Sequence, residues 1–246
     1  MNGLPMHIGT ALYPAATFST PYDNHRINDR HIENGVFNPG YTEGKPPPNV
    51  RSTTVSGIRP KNIWKDFFQV SEGNCVTVSA IKATMAKYGN HPEGIYKKII
   101  RSDEGFDITM RDGVKVFLTH EELGQAMDSA GFAGKGKVLR HAIFLYAASA
   151  KRAQNENNDG RAKQSFEAAM RTLNDGEHPG EALTRLGLKN HMRRGTVEEL
   201  KNGAIGTLAD SVHSVAVVDA HIDLWSIKRV LAGSTWEKAP DVLVLD

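Results

Sequence analysis

Apolar residues in this 246-residue chain recur every three to four positions through its middle. They give way to short β-branched runs only in the last fifty residues. Helices first and strands later, with no alternation of the two, argues against a doubly wound parallel sheet and for an α+β domain. Cys75–Tyr88 (CVTVSAIKATMAKY) predicts a helix, with Val78, Ile81 and Met85 on one apolar stripe and Gly89 as its stop. Residues 138–154 and 161–174 read as two further helices separated by Asn155–Gly160, and a short one is expected over 180–187 after Pro179. Thr119-His-Glu-Glu122 matches a capping box opening another helix. Just before it, Phe106–Arg111 and Val114–Leu118 flank Asp112-Gly113, which predicts a hairpin whose two central residues both need positive φ. Ser214–Val218, His221–Ile227 and Val242–Leu245 read as strands.

The first sixty residues have a different composition. Eight of the 11 prolines fall there, including Pro46-Pro47-Pro48, with no sustained period of either kind. Residues 1–60 are therefore read as an extended Pro-rich segment and residues 61–246 as the folded domain. The first 22 residues carry no Asp, Glu, Lys or Arg and are broken by Pro5 and Pro14. They show neither the basic start nor the continuous apolar stretch of a secretory signal.

Composition narrows the function. Lys and Arg total 30 against 28 Asp and Glu, so the balance gives no reason to expect a nucleic-acid partner. No apolar run approaches the length of a membrane span. The single cysteine, Cys75, rules out an intrachain disulfide and a Cys-rich zinc site, and it suits a reducing compartment. Three motifs fail by one residue. His120-Glu121 lacks the second histidine of a zinc-protease helix because residue 124 is Gly. Gly131–Lys137 (GFAGKGK) has phosphate-loop spacing, but Val138 stands where Ser or Thr would hold magnesium. The Asn155–Gly160 run begins like a calcium loop whose closing Glu is replaced by Phe166.

One constellation does not fail. Cys75 opens its helix where backbone N–H groups are unpaired, and the positive end of the macrodipole favours a thiolate there. A lone helical cysteine is more often a small core residue, so the reading depends on what accompanies it. Gln69 lies six residues upstream, placed to donate to a developing oxyanion together with the Cys75 N–H. His213 leads into the strand SVAVV, and Asp223 follows on the next strand-like run, where a carboxylate could orient the imidazole. His221 competes with His213 as the base, and Asp210 and Asp219 are fallback carboxylates. Trp225 either shields the His–Asp pair or packs in the core.

The segment Gln69-Val-Ser-Glu-Gly73-Asn74-Cys75, followed by an apolar helix, resembles the active-site block of calpain-type cysteine proteases of the papain-like superfamily. His213-Ser-Val-Ala-Val-Val and Asp223-Leu-Trp225 resemble its later blocks. The chain departs from the calpain pattern at Asn74, Val76 and Asp223, where calpains have an acidic residue, Trp and Asn. The resemblance implies a papain-like α+β fold: a nucleophile helix packed on a C-terminal antiparallel sheet, with a mainly helical insertion over residues 119–200. It implies a thiol hydrolase that cleaves an amide bond in a protein or peptide substrate. Cys75 would be the nucleophile, His213 the general base and acid, Asp223 the orienting group and Gln69 the oxyanion residue, with no cofactor and no metal. A deamidase, transglutaminase or acyltransferase would use the same triad, and a non-catalytic helical interaction protein is the remaining alternative. The expected setting is cytoplasmic, or export without a Sec signal as a bacterial effector.

Overall fold

Cys75–Tyr88 forms helix over the span expected from the sequence, yet it is buried on nearly every side rather than along one stripe. Val76 through Ala86 are all buried, including Thr77, Ser79, Lys82 and Thr84. A helix so enclosed lies between two layers. The computed structural model describes residues 57–70 and 73–246. All but the last four residues of the Pro-rich segment thus lie outside the described residues.

Along the chain, α1 (Ile63–Asp66) runs directly into β1 (Phe67–Gln69), and the central helix is α2 (Cys75–Tyr88). After α3 (Pro92–Ile95), an antiparallel meander follows: β2 (Lys98–Arg101), β3 (Gly105–Thr109) and β4 (Lys115–Thr119). Next come α4 (His120–Ser129), β5 (Phe132–Gly134), α5 (Gly136–Glu156), α6 (Phe166–Thr172) and α7 (Glu181–Arg185). The remainder comprises β6 (Met192–Arg194), α8 (Val197–Lys201), β7 (Gly206–Ala209), β8 (Ser214–Val218), β9 (His221–Leu224), β10 (Ile227–Val230) and β11 (Asp241–Leu245). Six of these strands form one antiparallel sheet in the order β10-β9-β8-β7-β11-β6, and β1 pairs with β5 apart from it.

The middle of the sheet, β7 and β8, is buried on both faces, and strand alternation divides them. Ala216 and Val218 of β8 join the core formed by α2, α5 and α7. Val215 and Val217 point the other way, into a smaller cluster with Leu208 and Ile222 that is covered by Leu200 and Trp236. The small residues Ala80 and Ala83 let α2 pack tightly, and one hydrogen bond pins it to the strand. Ser79 Oγ and Ser214 Oγ are 2.7 Å apart and buried.

Several local expectations are corrected. The Asp112-Gly113 hairpin has positive φ only at Gly113, at 92°. Its loop is a longer turn, with the Gly113 N–H donating to Met110 O and the Met110 N–H to Val114 O. The segment 161–174 is not one helix, because Ser165 turns extended and caps α6 by accepting from the Ala168 N–H. His221–Ile227 is not one strand. It folds back at Trp225-Ser226, whose φ values are 46° and 68°, and β10 returns beside β9. Two-residue turns of this kind are normally announced by Asn or Gly, and neither is present. The capping box at Thr119 and Glu122 forms as read.

Because Ser79 Oγ also bonds to Val76 O at 3.0 Å, Ser214→Ala removes one buried hydrogen bond without stranding the other hydroxyl and is expected to cost about 1 kcal/mol. Ser79→Ala/Ser214→Ala together should cost less than the sum of the single changes. Urea unfolding of the three variants measures this, and strict additivity would contradict the coupling.

Candidate active site

The start of α2 meets the start of β8 at a cavity. Gln69, Cys75, Val78, Ser79, His213, Ser214, Ala216, Asp223 and Trp225 line it. The four residues picked out by sequence come from two distant stretches of chain, 69–75 and 213–223, and all four reach this one wall.

Cys75 is the first residue of α2 and half-buried. No acidic side chain lies in the first helical turn, so nothing there opposes the positive end of the dipole. The preceding loop is held from two sides. The Asn74 side chain is buried and donates from Nδ2 to Ala130 O at 2.8 Å. Gly73 bridges to Asp175, and a Cβ at Gly73 would stand 2.7 Å from Asn174 O, so the loop passes where only glycine fits. Gln69 ends β1 opposite Phe132 of β5, which brings its side chain to the cavity.

His213 sits on a loop fixed by Asp210. The Val212 and His213 N–H groups both donate to Asp210 Oδ1 at 2.8 Å, and the Asp210 N–H donates to His213 O at 3.0 Å. These bonds to its charged form hold the Asp210 carboxyl below the usual range. The imidazole stacks on Trp225 with centroids 4.7 Å apart and planes at 18°, and Trp236 meets it edge-on at 6.1 Å. Burial pushes the proton affinity of His213 down, against a smaller pull upward from Asp210.

Asp223 lies on β9, with its side chain on the α2 side of the sheet. There it meets a group that the sequence reading passed over. Lys82, two turns beyond Cys75 on α2, is wholly buried and places Nζ 2.6 Å from Asp223 Oδ2. The ammonium also donates to Trp64 O at 3.2 Å and lies over the Phe67 ring. Burial pushes the Asp223 carboxyl up, opposed by Lys82 and by the Ser226 N–H. Burial likewise pushes Lys82 down, opposed chiefly by Asp223. Asp223 Oδ1 is buried with no hydrogen-bond partner among the described residues.

The expected His213–Asp223 hydrogen bond is therefore not present, and none joins Cys75 to the His213 ring among the described residues. The reason is physical. A buried carboxylate is drawn to a full positive charge by Coulomb attraction that is little screened there, so the ammonium takes the partner that the imidazole was expected to have. Hydrogen bonds between nucleophile and base are often long before substrate seats.

The fallback residues are occupied elsewhere. His221 Nδ1 lies 2.6 Å from Asp219 O, and Asp219 pairs with Arg59 on the surface. The His120 and Asn155–Gly160 near-motifs build no metal cluster among the described residues. The missed members of the site are Lys82, Trp236 and the Ser79–Ser214 pair. Of these, Lys82 had a usable signal, as the single charge between Cys75 and Ala86. Comparison of the chain with family models, with curated proteins and with solved structures gives no match.

The buried imidazole predicts a pH effect on stability. With its folded midpoint lowered, the native chain binds fewer protons than the unfolded one below the ordinary histidine value of about 6.5. Stability present above that value is lost as pH falls through it toward the lower folded midpoint. Thermal melts from pH 8 to pH 5 should fall more steeply for the native chain than for His213→Asn, and equal slopes would contradict the assignment.

Proposed function

We propose that this chain is a thiol hydrolase of papain-like type that cleaves amide bonds in a protein or peptide. The observation that carries the reading is the convergence of Gln69, Cys75, His213 and Asp223 on one cavity from remote parts of the sequence. The architecture around it, a buried helix opened by the cysteine and packed on an antiparallel sheet, supports the same reading. No described helix is long and apolar enough to cross a membrane.

The chemistry follows from the placement. His213, kept largely neutral by burial, accepts the Cys75 thiol proton as Sγ attacks the carbonyl carbon. The carbonyl oxygen gains the displaced electron pair and is held by the Gln69 side-chain amide and the Cys75 N–H. As the intermediate collapses, the C–N bond breaks and the imidazolium protonates the departing amine. Water, deprotonated by His213, then attacks the thioester and releases the acid and the thiol. Asp223, with Oδ1 unpartnered, is the acceptor toward which the ring N–H turns when the base engages.

Incubation with a library of natural peptides and mass spectrometry of the products tests this. The native chain should yield cut peptides, and Cys75→Ala and His213→Ala should lose at least about a thousandfold of the turnover while melting normally. Products about 1 Da heavier in place of cut ones would assign the same thioester chemistry to deamidation. Equal turnover by Cys75→Ala would end the proposal.

Iodoacetamide offers a readout that needs no substrate. Cys75 should alkylate faster at neutral pH than a cysteine in an unstructured peptide. His213→Ala should slow the reaction toward the rate of the peptide thiol, and an unchanged rate would remove His213 as the base.

A further inference from the structure

A lysine with no exposed surface needs a reason to be ionised inside a protein, and Lys82 has one partner with full charge. Its Nζ makes a 2.6 Å contact with Asp223 Oδ2, and the Trp64 carbonyl and the Phe67 ring complete its surroundings. The carboxylate it holds lines the cavity beside Cys75 and His213 and leaves Oδ1 without a partner. We propose that Lys82 is a positioning residue of this site, whose sealed ammonium keeps Asp223 a carboxylate so that Oδ1 can receive the ring N–H of His213. The inference rests on the thiol-hydrolase reading and assigns Lys82 no contact with substrate.

Charge geometry favours this role over simple stabilisation. A buried ion pair contributes little net stability, since well-packed apolar residues of similar volume commonly do as well. Removing one partner is different, because the remaining carboxyl must then be neutralised by a proton. A protonated Asp223 could no longer offset the charge that His213 gains when it takes the thiol proton. The other groups facing this pair do not replace Lys82. Asp66 on α1 acts on the ammonium and not on the carboxylate. Lys228, opposite Asp223 in the β9–β10 register, directs its ammonium over the Trp64 ring. His213 and Cys75 are the groups whose protons are at issue.

The test uses the full chain and two readouts, the Asp223 carboxyl signal in aspartate-labelled protein and the rate of Cys75 alkylation by iodoacetamide between pH 5 and pH 9. In Lys82→Met the Asp223 midpoint should rise by about one unit or more. The acid limb of Cys75 reactivity should move up with it, slowing alkylation about tenfold at the native half-maximal pH. Asp223→Asn should move the same limb, and Lys82→Met/Asp223→Asn should move it no further, because Lys82 acts through Asp223 alone. If Lys82→Met does not fold, Lys82→Gln, which keeps a neutral donor beside Asp223 and removes the charge, is read in its place with the same expected shift. A native reactivity profile in folded Lys82→Met, or an added shift in the double variant, would overturn the role of Lys82 and leave the hydrolase reading standing. A native Cys75 that behaves as an ordinary thiol would overturn the hydrolase reading and this role with it.

Discussion

A 14-residue helix enclosed on nearly all sides sets the terms for everything around it. Buried hydroxyl and ammonium groups on such a helix are costly without partners. The neighbours of α2 answer most of them. Leu173 O accepts from Thr77, Ser214 meets Ser79, and Asp223 meets Lys82. Each contact fixes a height on the helix, and the last two fix the helix against β8 and β9. Once those strands are registered, His213 at the entry to β8 must lie near Cys75 at the entry to α2.

The site is thus a by-product of core packing as much as of its own hydrogen bonds. Its two ends differ electrostatically. Near the surface, a half-buried thiol and an imidazole disfavoured from carrying charge share the mouth of the cavity with an exposed tryptophan, 59% accessible. Below them lies an ion pair whose ammonium is sealed from water. Trp225 occupies the tight turn between β9 and β10 with a positive φ that a bulky side chain seldom adopts, and it stacks on the imidazole. Strain of about 1–3 kcal/mol at such a position persists only where surrounding structure enforces it.

Local signals in the sequence located the elements well where one residue type decides the geometry. The capping box at Thr119 and Glu122 and the end of α2 at Gly89 formed where the sequence placed them. The signals failed where geometry came from elsewhere. The β9–β10 turn uses Trp225 and Ser226, neither of which announces a positive φ. The short strands β1 and β5 exist only because they pair with each other. The stripe of Val78, Ile81 and Met85 was real but incomplete, since a one-sided pattern cannot reveal that the other side is also covered.

By itself the sequence singled out the candidate groups: a cysteine at a helix start, an upstream glutamine, a histidine at a strand entry and an aspartate on the following strand. These depend on residue type and local spacing, which neighbouring residues fix. Only the tertiary structure decided which charges meet. The partner of Asp223 is 141 residues away in sequence, and it is a lysine, not the expected histidine. No local pattern encodes that choice, because it was made by two layers closing over a buried ammonium and leaving one carboxylate within its reach.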